Sequence, residues 1–316
     1  MIRDPNFINP LTNPILFQTI NRFVLIFLAG LMLIFLLNRF KMKGIWKNNL
    51  GKRYLSWLVI SIIYLTAIFF GGYTALFFLL GIMVFAIWEV SKLSKLPIAY
   101  TITLYILTIV SIYITSFHSE NFYMLPLFYF IILSIISINL NNSKGLSNLT
   151  LSLFTSIWII FALSHFILLG HLNNSIDSTK SLLILVAITV ALADIGAYIV
   201  GKFFSKTRLN KYKIADKISP NKTYAGVLGN ILGAGIGIAI MYFAIETYTS
   251  IFNLIILAIL IGTFAVVGDL TESLFKRQYS AKDSSQLIPG HGGILDRIDS
   301  ILRVIIVVYY FFLFVL

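Results

Sequence analysis

The sequence predicts an all-α membrane protein, a polytopic bundle of about ten spanning helices with a polar site that faces the cytoplasm. Of its 316 residues, 59% are hydrophobic and only 11% are charged, whereas soluble domains carry about 25% charged residues. So few charges cannot cover a soluble core, which excludes a soluble globular or a disordered chain. The apolar residues also form unbroken runs rather than the alternating pattern that a transmembrane β-barrel requires.

About 20 apolar residues cross the hydrocarbon core as a helix. The predicted spans are residues 21–38, 55–70, 73–90, 98–116, 122–140, 149–170, 181–200, 225–245, 251–274 and 301–316. Only Gly71 and Gly72 separate the second span from the third, which indicates a tight hairpin. The first span is expected to be a retained helix rather than a signal peptide, because no small-residue cleavage site follows it.

Basic residues predict the orientation, because cytoplasmic loops of membrane proteins are rich in Lys and Arg. Twenty of the 24 fall in alternate segments, namely 39–54, 91–97, 141–148, 201–224 and 275–300. These segments are expected inside and both termini outside. The same pattern explains the net charge of +12 without nucleic-acid binding, for which no recognised motif is present. The absence of Cys excludes disulfides and thiolate metal sites.

The chemistry is expected in the second half of the chain. Residues 1–180 consist of about six spans and short loops, whereas residues 181–316 combine spans with the polar loops 201–224 and 275–300. Residues 185–300 contain eight of the twelve acidic residues. We therefore predict an N-terminal region of transmembrane helices and a C-terminal catalytic region within one membrane domain.

Acidic side chains within a span are costly and usually face a bundle interior or a cavity. Asp194 lies inside the seventh predicted span. On the ninth, Asp269, Glu272, Ser273 and Lys276 are spaced i, i+3, i+4 and i+7, which places them on one helix face. This stripe predicts a site at the cytoplasmic end of the helix. An internal ion pair between helices is the structural alternative.

The loop after this helix combines cations, acids and glycines. Its candidate site residues are Lys276, Arg277, Lys282, Asp283, His291, Gly292, Gly293, Asp296 and Arg297. Carboxylates can bind Mg²⁺ while phosphate oxygens complete its shell, and cations neutralise phosphates. Glycines allow backbone N–H groups to approach an anion. A merely solvated basic loop would explain the cations but not the acids, although helix capping would explain Asp299.

A second polar loop precedes the eighth predicted span. Ser219, Lys222 and Thr223 offer hydroxyls and a cation just before a helix start, which is a plausible phosphate cradle. An ordinary capped helix start explains these residues equally well.

The run from Ser273 to Asp299 resembles the signature of the phosphatidate cytidylyltransferases, also called CDP-diacylglycerol synthases. Asp194 and the run from Ser219 to Thr223 resemble a second block of that family. The resemblance covers roughly residues 185–300. The family usually has an acidic residue where this chain has Ala225, so that an acceptor other than phosphatidate stays open.

The resemblance implies a Mg²⁺-dependent transferase of phospholipid biosynthesis that converts CTP and phosphatidate to CDP-diacylglycerol and pyrophosphate. Asp269 and Asp283 are then the expected metal ligands, with room for a second cation. The expected phosphate contacts are Lys222, Lys276, Arg277, Lys282, Ser219 and Thr223, and the residues expected at the nucleotide end are His291, Asp296 and Arg297. Asp194, Ser273, Gly292 and Gly293 are expected to contact substrate.

Membrane lipids are the expected surroundings, in a bacterial inner membrane, and a homodimer is an open alternative. Three other functions also stay open. They are a CTP-dependent enzyme acting on another lipid phosphate or a polyprenol, a transporter for an anionic solute, and a lipid-binding scaffold.

Overall fold

The computed structural model describes residues 14–37, 49–140, 143–172, 176–204, 212–245, 249–288 and 292–315. Within these ranges the chain is helical. The only β pairing there consists of two isolated bridges, one between Lys213 and Thr223 and one between Ile288 and Gly292.

Helices follow one another at each of the predicted spans. They are α1 (Pro14–Leu37), α2 (Asn49–Phe70), α3 (Gly72–Ser94), α4 (Ile98–Phe117), α5 (Leu125–Leu140), α6 (Gly145–Thr155), α7 (Ala162–His171), α8 (Ile176–Phe203), α9 (Tyr224–Met241), α10 (Ile251–Gln278) and α11 (Leu295–Val315). A π-helical segment, Ser156–Phe161, joins α6 to α7. Gly71, between α2 and α3, and Gly72, the first residue of α3, both have positive φ, which confirms the predicted tight hairpin.

Among the described residues, eight helical stretches are long and apolar enough to cross a membrane. They are Gly72–Ser94, Ile98–Phe117, Ser119–Leu140, Gly145–His171, Lys180–Phe203, Tyr224–Met241, Ile251–Gln278 and Leu295–Val315. At the first two predicted spans lie shorter apolar helices, Phe17–Met32 and Leu55–Phe70. The protein is therefore an all-helical integral membrane protein with eight candidate spans, and the number of about ten stays a prediction.

The helices around the polar loops are longer than the sequence pattern predicts. α10 continues to Gln278 instead of ending at 274, and α11 begins at Leu295 instead of 301. A prediction from hydropathy ends a span at its first charged residues. The helix itself can continue through charged residues whose side chains have partners. Asp296 in the first turn of α11 also interacts favourably with the positive end of that helix.

Glycines bring α8, α9 and α10 into close contact. A Cβ added at Gly237 of α9 would lie 2.8 Å from the Cα of Thr189 on α8. A Cβ at Gly262 of α10 would lie 2.6 Å from the Cα of Ile231 on α9. The three backbones can approach this closely only because these side chains are absent, as is common for helices packed in a membrane.

The outward face of α9 is apolar. Leu228, Leu232 and Ile236 recur one turn apart and are 55%, 61% and 57% exposed. In a soluble protein such a stripe would be a binding surface or would promote aggregation, whereas in a bilayer it contacts lipid chains. The glycine face of the same helix points into the bundle.

The close packing of α9 on α8 predicts an effect of a single methyl group. Gly237→Ala should destabilise the folded protein by about 1–3 kcal/mol, because the methyl group overpacks against the backbone of α8. The measurement is the thermal unfolding midpoint of the purified protein in detergent.

Gly235→Ala is the matched control on the same helix, since its Cβ would lie 3.9 Å from its nearest neighbour, the Cβ of Ala258. Its midpoint should be unchanged or slightly raised. Equal midpoints for the two variants would contradict the close packing of α8 and α9.

Candidate active site

One cavity in the described part of the chain is lined by most of the charged residues that the sequence predicts at the site. Its volume is about 450 Å³, and α8, α9, α10, the start of α11 and the polar loops form its walls. Six carboxylates line it, namely Asp194, Asp269, Glu272, Asp283, Asp296 and Asp299. Three cationic side chains line it as well, namely Lys222, Lys276 and Arg297. The lining therefore has a formal excess of negative charge.

Lys276 joins α10 to α11 at the base of the cavity. Its Nζ lies 2.5 Å from a carboxylate oxygen of Glu272, one turn earlier on α10, and 2.6 Å from Oδ1 of Asp296 on α11. The Glu272 and Asp296 side chains are only 2% and 6% exposed. Because a buried carboxylate is costly without a partner, this lysine compensates two charges at once.

Lys222 also lines the cavity and lies at the end of the loop before α9. Its ammonium group forms an ion pair with Asp269 on α10. Thr223, the next residue, caps α9 by accepting a hydrogen bond from the Gly226 amide at 3.2 Å. The threonine therefore caps the helix, as the alternative of an ordinary helix start predicted. This cap fixes the position of the neighbouring Lys222.

The charge of Lys222 is maintained by its neighbours. Burial lowers its pKa, but the carboxylates of Asp269, Asp194 and Asp299 outweigh burial and hold the pKa above its ordinary value. Lys222 is therefore protonated at neutral pH. The stability that it contributes is complete below the ordinary lysine pKa and is lost only as the pH rises through the elevated value.

Asp296 organises the loop between α10 and α11. Its Oδ2 accepts hydrogen bonds from the amides of Ser284 and Gly293 at 2.9 Å and 2.7 Å, and lies 2.8 Å from the Ser284 hydroxyl. Gly292 has a φ of +84°, a conformation that favours glycine. The Gly293 amide thus donates to the protein's own carboxylate, whereas the sequence predicted that the two glycines would approach a substrate anion.

Several predicted site residues lie beside the cavity rather than in its lining. Arg277 donates from Nε to the carbonyl of Ile218 at 3.3 Å, and so connects the last turn of α10 to the loop before α9. Ser273 donates to Asp269 at 3.3 Å. Ser219, Lys282, Gly292 and Gly293 are likewise absent from the lining. His291 lies outside the described residues.

Residues 51–315 match the sequence profile of the Cytidylyltransferase family. The chain belongs to that family. Among curated relatives, a phosphatidate cytidylyltransferase of Haemophilus influenzae is 45% identical over 139 residues, which are 43% of this chain and 46% of the relative. Another of Synechocystis is 47% identical over 120 residues, 38% of this chain and 39% of the relative. The matched stretches thus span less than half the length of either relative.

The donors in the cavity of this family member suit a hard cation. Carboxylate oxygens are the ligands that Mg²⁺ prefers, and Oε1 of Glu272 is buried without a hydrogen-bond partner. Among the described residues, no three acidic, His or Cys side chains converge closely enough to hold a metal by themselves. The site therefore fits Mg²⁺ that keeps water and phosphate ligands beside a few carboxylates. It does not fit an all-protein metal cage.

Three polar residues of α9, α10 and α11 that line the cavity were not predicted as site residues. Glu272 belongs to the polar stripe of the ninth predicted span and Asp299 was explained by helix capping, and both line the cavity. Asn230 also lines it, and its position one turn after Gly226 in a glycine-rich apolar helix is the signal that could have found it.

The bridging role of Lys276 predicts a large cost for its removal. Lys276→Met should lower the free energy of unfolding by about 3–5 kcal/mol, because two buried carboxylates lose their counter-charge. Adding Glu272→Gln to this variant should recover part of the loss. Chemical denaturation in detergent measures both.

Lys213→Met serves as the control, because Lys213 pairs with Asp216 at 3.1 Å in an exposed ion pair. Exposed pairs contribute little to stability. If Lys276→Met is as stable as Lys213→Met, the bridge does not hold α10 to α11.

Proposed function

We propose that this protein is a membrane cytidylyltransferase that transfers the cytidylyl group of CTP to phosphatidate, giving CDP-diacylglycerol and pyrophosphate. The observation that carries the proposal is the cavity, where carboxylates and cations converge between apolar helices. It lies within the region matched by the family profile. Relatives that share part of the chain are named phosphatidate cytidylyltransferases.

The reaction needs little proton transfer from the protein. A phosphate monoester has a second pKa of about 6, so the phosphatidate headgroup is a ready nucleophile at neutral pH. Its oxygen forms a bond to the α-phosphorus of CTP. The bond from that phosphorus to the oxygen bridging to the β-phosphate breaks, and pyrophosphate leaves with the electron pair. Catalysis then depends on positioning and on neutralising charge.

The cationic residues divide into two roles in this proposal. Lys222, one quarter exposed, and Arg297, which is exposed, can reach phosphates in the cavity. Lys276 is 12% exposed and held by two carboxylates, so it positions α10 against α11. Arg277 and Lys282 stay predicted phosphate contacts from the adjoining loop.

Asp269 and Asp283 are the proposed metal ligands, since both line the cavity and Asp283 is exposed to it. Mg²⁺ held there would supply the positive charge that an anionic triphosphate requires among six carboxylates. Asp194, Asp299 and Asn230 complete the polar wall on the side of α8, α9 and α11.

We also infer that the cavity faces the cytoplasm of a bacterial inner membrane and that residues 181–316 carry the chemistry. The cavity-lining residues all lie between Asp194 and Asp299. The loops that border the cavity are the basic segments expected inside. A site at this membrane surface would meet both water-soluble CTP and a lipid whose chains remain in the bilayer.

The proposed reaction predicts a lipid-extractable product. Purified protein in detergent with labelled CTP, phosphatidate and Mg²⁺ should transfer label to the lipid phase and release pyrophosphate. Asp283→Asn should lower turnover by about 100-fold or more, because a charge at the reacting phosphates is lost.

Asp216→Asn is the matched control, since this aspartate is 71% exposed in a surface ion pair outside the cavity lining. Turnover of Asp216→Asn should equal that of the wild type. Near-wild-type turnover of Asp283→Asn at saturating Mg²⁺ would refute the metal assignment. Transfer only to another lipid phosphate would refute phosphatidate as the acceptor, a result that Ala225 at a usually acidic position makes worth testing. If no lipid phosphate accepts the label, the proposed cytidylyltransferase activity is refuted.

The orientation makes a separate prediction. Reporter fusions at residues 95, 144, 217 and 283 should all indicate the cytoplasm, and fusions at 118 and 250 the opposite side. A fusion at 217 that reports the outside would reverse the proposed topology.

A further inference from the structure

Glu89 is a buried acid far from the catalytic half in sequence. It lies near the end of α3, in the N-terminal region, and is 0% exposed. Its carboxylate is nevertheless surrounded by the loop before α11 and by the first residues of that helix. About 200 residues of chain separate the two, so the contact is purely tertiary.

Four groups of that loop and of the helix start lie within hydrogen-bond distance of this one carboxylate. The Ser285 hydroxyl and the Ile294 amide lie 2.6 Å and 2.8 Å from Oε1. The Ser284 hydroxyl and the Leu295 amide lie 2.9 Å and 2.8 Å from Oε2. Both oxygens are thus fully engaged, and all four donors belong to the segment that carries the predicted signature.

The position suits an anion for a general reason. The first N–H groups of a helix have no partner within the helix and form its positive end. Ile294 and Leu295 stand at the start of α11, and Glu89 accepts from both amides. A carboxylate of another helix therefore caps α11, through charge-assisted hydrogen bonds that are stronger than neutral ones.

Glu89 is connected to the cavity through one further residue. The Ser284 hydroxyl lies between Oε2 of Glu89 and Oδ2 of Asp296, at 2.9 Å and 2.8 Å, and its single hydrogen can be donated to either carboxylate. Asp296 in turn holds Lys276. Gly293 fits into this contact because it has no side chain. A Cβ there would overlap the Ser284 hydroxyl and both Glu89 oxygens.

We propose that Glu89 is a positioning residue that fixes residues 283–285 of the loop and the start of α11 at 294–295, and thereby places Asp283, Asp296 and Arg297 at the cavity. The kinetic part of this inference rests on the proposed cytidylyl transfer, whereas the structural part does not. Glu89 touches no cavity space itself. Its effect on turnover is indirect and passes through the hydrogen bonds of the loop.

The test uses Glu89→Gln, which keeps the side chain's size but removes its charge and replaces one acceptor oxygen with a donor. Hydrogen–deuterium exchange of the full-length protein should be faster in peptides covering residues 284–295 than in the wild type. Turnover per folded molecule should fall about tenfold or more, because small displacements of reacting groups are costly. Both are measured below the unfolding transition of the variant.

Ser91→Ala is the control, a buried polar residue of the same helix outside this contact. It should leave exchange at 284–295 and turnover unchanged. Ser285→Ala removes one donor and should give a smaller increase in exchange, which keeps the test informative if Glu89→Gln folds poorly. Gly293→Ala should reproduce the Glu89→Gln pattern from the loop side.

The outcomes separate the two proposals. Unchanged exchange at 284–295 in both Glu89→Gln and Ser285→Ala would overturn the proposal that Glu89 fixes this segment. A lower unfolding midpoint with unchanged turnover per folded molecule would reduce Glu89 to a structural residue and overturn the positioning role. Absence of cytidylyl transfer in the wild type would refute the proposed function alone, because the exchange measurement needs no substrate.

Discussion

The double ion pair of Lys276 with Glu272 and Asp296 is the interaction on which the site depends. It places a cation between two carboxylates that are almost fully buried, at the point where α10 and α11 meet. Without it, two negative charges would face each other in an apolar bundle. With it, α10 continues past the apolar span, α11 begins early, and the loop between them is held at both ends.

The remaining charge of the cavity constrains the chemistry. Six carboxylates face three cationic side chains, and two of these cations are already paired. Two unit charges 4 Å apart interact by about 4 kcal/mol at an effective dielectric constant of 20. A triphosphate entering such a lining would therefore meet net repulsion of several such interactions. A bound cation would reverse the sign of this interaction, which is the electrostatic argument for the proposed Mg²⁺.

Local patterns in the sequence predicted part of this arrangement. The spacing of Asp269, Glu272 and Lys276 sets one helix face whatever the rest of the chain does, and all three line the cavity. The pairing of Lys222 with Asp269 could not be predicted, because it depends on how closely α9 approaches α10. The place of Arg277 depends likewise on a carbonyl of the other loop.

Gly293 illustrates the same limit from another side. A glycine pair beside acids suggests backbone donors for a phosphate, and the sequence alone has no means of showing that Asp296 already accepts from that amide. Nor does a single acid near the end of α3 indicate its partners some 200 residues later. Local spacing shows which residues share a helix face, but the partner of a buried polar group is decided by tertiary packing.

The predicted division into an N-terminal helical region and a C-terminal catalytic region does not coincide with a boundary in the packing of the helices. One buried apolar cluster runs from Ile68 on α2 to Phe312 on α11. Trp158 packs against Phe275 of α10, with ring centroids 5.6 Å apart and ring planes tilted by 57°. Glu89 adds a polar connection to the apolar ones, and the family profile likewise begins at residue 51 and includes α3. If the loop geometry depends on that carboxylate, the catalytic half cannot hold its site in shape without the helices that precede it.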